Sequence, residues 1–154
     1  MSERPPEEGN EYLTRFIEAR NLLSDTSQGY EEPLDTLRQL PTTVGWVYAL
    51  TSLGGALIHD AEKRDYVARG QLVLRLAAEK MKIAFDGDIH TLLFDYEWIA
   101  ALQVRSDDIE GAQFTARSIK PHLKAASKTD EASTYGNTLQ RAISSVEEIL
   151  RSTP

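Results

Sequence analysis

The spacing of apolar residues between Asp88 and Leu123 constrains this chain more than any other feature. In DIHTLLFDYEWIAALQVRSDDIEGAQFTARSIKPHL, Leu92, Tyr96, Ile99 and Ala100 follow at steps of four, three and one. Ile109, Ala112, Ala116, Ile119 and Leu123 follow at steps of three, four, three and four. Each series marks one face of a 3.6-residue helix. The polar break Val104-Arg105-Ser106-Asp107-Asp108 is so short that the second helix must run back along the first. Small residues at Ala100, Ala101, Gly111, Ala112 and Ala116 let the two backbones approach closely. Asp107 with Glu110 three residues on has the form of a capping box. Pro121 offers no N–H, which predicts a kink or stop near Lys120 and a further turn through Leu123. Phe114 lies off the stripe and is expected either to meet a further helix or to face solvent.

The same period recurs elsewhere. Leu13, Phe16, Ile17, Arg20 and Leu23 mark a first helix, beginning near Asn10 and ending in the turn formers Ser24 to Gly29. A short second helix carries Pro33 in its first turn and presents Leu34, Leu37 and Leu40. Thr42 or Thr43 is a competent N-cap for a third helix. There Val44, Val47, Tyr48, Leu50, Leu53, Ala56 and Leu57 cover more than one stripe, which puts it centrally, and Gly54-Gly55 predicts a close helix crossing or a kink. A polar connector, residues 59–65, leads to a fourth helix from Asp65 to Ala84. The last helix aligns Tyr135, Leu139, Ala142, Ile143, Val146, Ile149 and Leu150. No stretch alternates with period two. The expected fold is all-α, with about seven helices in stacked antiparallel hairpins over residues 10–152 and no sheet. Residues 1–9, rich in Pro, Glu and Gly, are expected to form a disordered acidic tail.

Charge narrows the function classes. Of a net charge of −7, residues 1–35 carry nine acids against three bases, so the acidity is N-terminal and gives no general attraction to phosphate backbones. A nucleic-acid partner is therefore not expected. The local exception is Arg117, Lys120, Lys124 and Lys128, a basic stripe that an RNA-associated subunit could use but that also suits a solvated helix end. No apolar run approaches the ~18 to 20 residues a membrane span needs, and the first residues do not read as a secretory signal. With no cysteine, disulfides, thiolate chemistry and Cys-based zinc sites fall away, and the cytoplasm is the expected compartment.

Two segments repeat. Gly55-Ala56-Leu57, a polar turn and Val67-Ala68 match Ala100-Ala101-Leu102, a polar turn and Gly111-Ala112, at an offset of about 44 to 45 residues. The second segment, Leu92 to Leu123, resembles a tetratricopeptide-type helical-hairpin repeat. In that pattern a large aromatic, a branched and then a small residue precede a turn, and a small residue opens the next helix; Tyr96, Ile99, Ala100 and Ala112 stand at matching separations. The poorer unit near residues 47–78 lacks the aromatic, and Pro121 falls earlier than the family's proline. The resemblance implies binding of a protein or peptide on a concave face lined by the first helix of each hairpin. It places Phe94, Glu97, Ala101 and Arg105 on that face, although Phe94 and Trp98 also suit helix packing.

Catalytic chemistry finds little support. Asp86-Gly87-Asp88-Ile89-His90, with Asp95 and Glu97 beyond, is the one compact set of metal-type ligands. A small metal-dependent enzyme or ligand-binding protein would use Asp86, Asp88 and His90. The set is not an EF-hand: Glu97 stands twelfth from Asp86, but Thr91, Leu92 and Phe94 interrupt the oxygen ligands. A glycine turn followed by an Asp88 N-cap explains the same residues more simply. His59, His90 and His122 are scattered over different elements. No catalytic or nucleotide-binding signature is present, and no cofactor is expected.

Overall fold

The computed structural model describes residues 4–59, 64–129 and 131–152. Among these residues the chain forms seven helices and no strand: α1 (Arg4–Leu23), α2 (Glu31–Arg38), α3 (Val44–His59), α4 (Arg64–Ala84), α5 (Ile89–Arg105), α6 (Ile109–Ala126) and α7 (Glu131–Arg151). None is long and apolar enough to cross a membrane.

The helices stack as antiparallel hairpins. α3 packs most extensively on α4, α5 on α6, and α1 on α2, with α7 laid along α6. Between hairpins, α4 meets α5 and α6, while α3, α5 and α7 meet in sequence, α5 touching both of the others. One contiguous core runs through the stack and includes Leu37, Val47, Leu50, Ala77, Tyr96, Ile99, Ile119 and Val146.

The α3–α4 crossing is made by glycine. A Cβ on Gly70 would lie 2.8 Å from the Gly54 carbonyl oxygen and 2.7 Å from Ile58 Cγ1, and one on Gly54 would lie 2.7 Å from Leu74 Cγ. Close packing therefore explains Gly54, and the α3 backbone need not kink. Gly70→Ala is expected to destabilise the fold by about 2 kcal/mol in urea unfolding, because the overlap with a backbone oxygen outweighs the gain in helix propensity of about 1 kcal/mol. An unchanged midpoint would show that the two helices separate freely.

Two buried cations on α4 fasten the first hairpin. Arg69 Nη1 donates to the carbonyls of Leu23 at 3.1 Å, Asp25 at 3.2 Å and Leu22 at 3.3 Å, and Nη2 donates to that of Gln28. Lys80 Nζ donates to Leu40 O at 2.6 Å and Arg38 O at 3.0 Å. Burial pushes the Lys80 ammonium down from its ordinary value. Both cations take carbonyls at or just beyond the ends of α1 and α2, where the helix dipole also favours positive charge.

Several local expectations change. α1 begins at Arg4, so residues 4–9 are helical rather than a disordered tail; Pro5 and Pro6 occupy the first turn, where a missing N–H has no intrahelical partner to lose. Residues 1–3 of that tail, and residues 60–63 of the α3–α4 connector, lie outside the described residues. Leu13 and Ile17 of α1 are exposed while Ala19 and Leu23 are buried, because the eight-residue α2 covers only one end of its longer partner. The cap of α6 is Asp108 rather than Asp107: its Oδ1 accepts from Gly111 N–H at 3.1 Å, and Asp107 takes the left-handed turn at φ 69°. α6 also runs through Pro121 to Ala126 without stopping. Pro121 is exposed, so the carbonyl one turn earlier that loses its N–H partner is free to take water. Phe114 is half-buried against the core.

Candidate functional site

α5 and α7 lie side by side over the start of α6, and a groove of about 1310 Å³ opens between them. Its floor is apolar and small, with Ala100, Ala112 and Ile149 buried beneath Ala101, Val104 and Ile109. Alanine at these positions keeps the walls low, which is why a hollow forms where larger residues would fill the space. α7 supplies a polar wall of Asn137, Arg141, Ser144 and Glu148, residues at steps of four, three and four.

Polar ties hold the two helices in register. The Tyr96 and Ser145 hydroxyls share a hydrogen bond of 2.8 Å, and burial raises the Tyr96 pKa while that bond opposes the rise. Arg141 Nη2 stands 3.7 Å from Glu97 Oε1 across the groove. Gln113 Nε2 donates to Ser152 O at 2.6 Å and Ile149 O at 3.4 Å, closing the C-terminal end of α7. Gly136 (φ 38°, ψ −111°) bends α7 near its start.

A second, shallower hollow of about 440 Å³ adjoins the first, lined by Tyr48 of α3 and by Phe94, Glu97 and Trp98 of α5. Trp98 stands between the other two rings, 5.0 Å from Tyr48 and 6.0 Å from Phe94 between centroids, at interplanar angles of 59° and 60°. Tyr48 and Phe94 are each 54% exposed. They are large aromatic surfaces that the core leaves uncovered. Glu97 borders both hollows, which makes them one surface running from α3 across α5 to α7.

The structure therefore brings together the four residues named from sequence. Glu97, Ala101 and Arg105 line the large groove, and Phe94 lies in the adjoining hollow. Sequence reasoning did not find Tyr48, which it counted with the core, nor the α7 wall. The wall's regular polar spacing was a signal, although solvated helix faces share it.

The carboxylates of the Asp86–His90 cluster are engaged at the start of α5. Asp86 Oδ1 accepts from Asp88 N–H at 3.1 Å. Asp88 accepts from the N–H groups of His90 and Thr91 at 3.1 and 3.4 Å and from Thr91 Oγ1 at 2.7 Å. The Thr91 hydroxyl, aided by these N–H groups, holds the Asp88 carboxyl below its ordinary range. This is the N-cap expected of Asp88. No group of three or more His, Asp or Glu among the described residues is placed to hold a metal ion. His59 and His90 are exposed, and His122 packs against Phe85 at 4.3 Å between ring centroids. Arg117, Lys120 and Lys124 are exposed along α6, and none of them lines either hollow.

Asp95, one turn before Trp98, is only 5% exposed, and burial raises its pKa to about 6. A carboxyl raised from 3.8 binds its proton more tightly folded than unfolded. Its contribution to stability is therefore full below the unfolded value and is lost as pH rises through about 6. Asp95→Asn is expected to stabilise the protein by about 2 kcal/mol at pH 8 and by almost nothing at pH 3.5. Urea unfolding at the two pH values checks this; an equal effect at both would remove burial of the charge as the cause.

Compared with protein-family models, with curated proteins and with solved structures, the chain matches none.

Proposed function

We propose that this protein is a protein–protein interaction module that takes a peptide segment of a partner along the face formed by α3, α5 and α7. One observation carries the reading. α3 and α5, the first helices of successive hairpins, and α7 beside them expose a continuous surface with an aromatic hollow at one end and an alanine-floored groove at the other. Partly exposed aromatics beside an open apolar floor are what protein interfaces concentrate at their centres. The order of helix packing, in which each hairpin stacks on the next and α5 touches both α3 and α7, supports the tetratricopeptide-like resemblance. An acidic chain without cysteine suits a cytoplasmic module.

Selection of random peptides on the purified full chain tests the proposal. Ala101 is exposed on the groove lining, so Ala101→Arg blocks the groove without disturbing the core. Selected peptides are expected to lose about tenfold or more in affinity for this variant, a change of 1.4 kcal/mol. Peptides that bind it as tightly as the parent, or a selection that yields none, would contradict the reading.

A further inference from the structure

The hollow bordered by Tyr48, Phe94, Trp98 and Glu97 has a chemistry of its own. Two aromatic rings, both more than half exposed, meet Trp98 at tilted angles, and a carboxylate completes the lining. Ring faces carry negative electrostatic potential and attract a cation within about 6 Å of the centroid, tryptophan most strongly. A carboxylate beside them adds direct charge attraction, while an anionic group would meet repulsion from both.

We infer that this hollow is a subsite for a cationic side chain, a lysine or arginine of the partner segment, held against Trp98 by the rings and by Glu97. The inference rests on the interaction reading above and adds to it the chemistry of the partner. Charge complementarity favours this occupant. Among the described residues Glu97 pairs with Arg141 at 3.7 Å, their side chains 44% and 71% exposed, and such exposed pairs are weak enough for an incoming cation to replace. A purely apolar occupant would bury Glu97 without an added partner, at a cost that a cation avoids.

The probe is the capped tripeptide Ac-Ala-Lys-Ala-NH2, titrated into the full chain beside its norleucine counterpart, which keeps most of the aliphatic stem and lacks the charge. The readout is the Trp98 indole N–H resonance, distinguished from that of Trp46 with a Trp46→Phe variant, these being the two tryptophans of the chain. The lysine peptide is expected to move Trp98 saturably with about tenfold preference over norleucine, which is the size of a cation–π contact with a nearby carboxylate. Phe94→Ser and Glu97→Gln change exposed side chains and should each reduce that preference severalfold. Equal response to both tripeptides, or no response of Trp98 to lysine, overturns the inference. If selected peptides depend on Ala101 while lysine leaves Trp98 unmoved, this subsite falls and the interaction reading stands. If lysine moves Trp98 and no peptide can be selected, the interaction reading falls instead.

Discussion

Arg69→Met is expected to lower the free energy of unfolding by about 4 kcal/mol. Arg69 is 7% exposed, and its guanidinium donates to four carbonyls where α1 ends and its loop turns toward α2. Methionine keeps the aliphatic stem and removes every donor. At least the Leu23 carbonyl then stays buried without its partner, and an unsatisfied buried group costs about 1 to 3 kcal/mol. Arg69→Lys should recover only part of the loss, since an ammonium has three donors and cannot reproduce the planar fork. The urea midpoint measures the loss. Amide exchange should place it in α1 and α2, because α4 keeps its packing on α3. A loss below about 1 kcal/mol would show that these carbonyls are satisfied by water instead.

The second large effect is at Asp108, where Asp108→Ala should cost about 3 kcal/mol. One carboxylate performs two tasks. It caps α6 through Gly111 N–H, and it takes a fork from Arg75, with Nε at 2.9 Å and Nη2 at 2.6 Å. That pair ties α4 to the α5–α6 turn. Asp108→Asn keeps an acceptor for the cap but loses the charge, so about half the loss should return. Asp107→Ala, by contrast, should change stability by less than about 1 kcal/mol, with only its left-handed backbone to strain. The denaturation midpoints of the three variants decide between the adjacent aspartates; equal losses at 107 and 108 would refute the assignment of the cap.

That ambiguity shows what the sequence made legible. The hairpin α5–α6 could be read because its apolar steps, its small residues and Asp88 all act locally. The spacing to Glu110 points to Asp107 as the cap of α6, whereas Asp108 takes the Gly111 N–H, and its second partner, Arg75, lies far earlier in the chain. The same reason hid the buried roles of Arg69 and Lys80: each cation meets carbonyls more than 35 residues away, and no pattern of side chains announces a carbonyl. Pro121 misled for a different reason, since a proline's effect depends on whether water reaches the carbonyl it releases. Of the surface described above, the α5 positions follow from the tetratricopeptide-type resemblance, which places residues of a hairpin's first helix on the concave face. Tyr48 was not legible, because an apolar run such as Val44 to Leu57 does not say which of its residues the neighbours will leave uncovered. The α7 wall looked like an ordinary solvated stripe until α5 was set beside it.

The central claim, that the face of α3, α5 and α7 is the interaction surface, is tested most directly by amide chemical-shift mapping of the full chain with a selected peptide. Shifts are expected around Tyr48, Phe94, Glu97, Ala101, Arg105 and Arg141, with α4 and the exposed side of α6 unmoved. Shifts centred instead on Arg117, Lys120 and Lys124 would contradict the account and assign binding to the basic stripe.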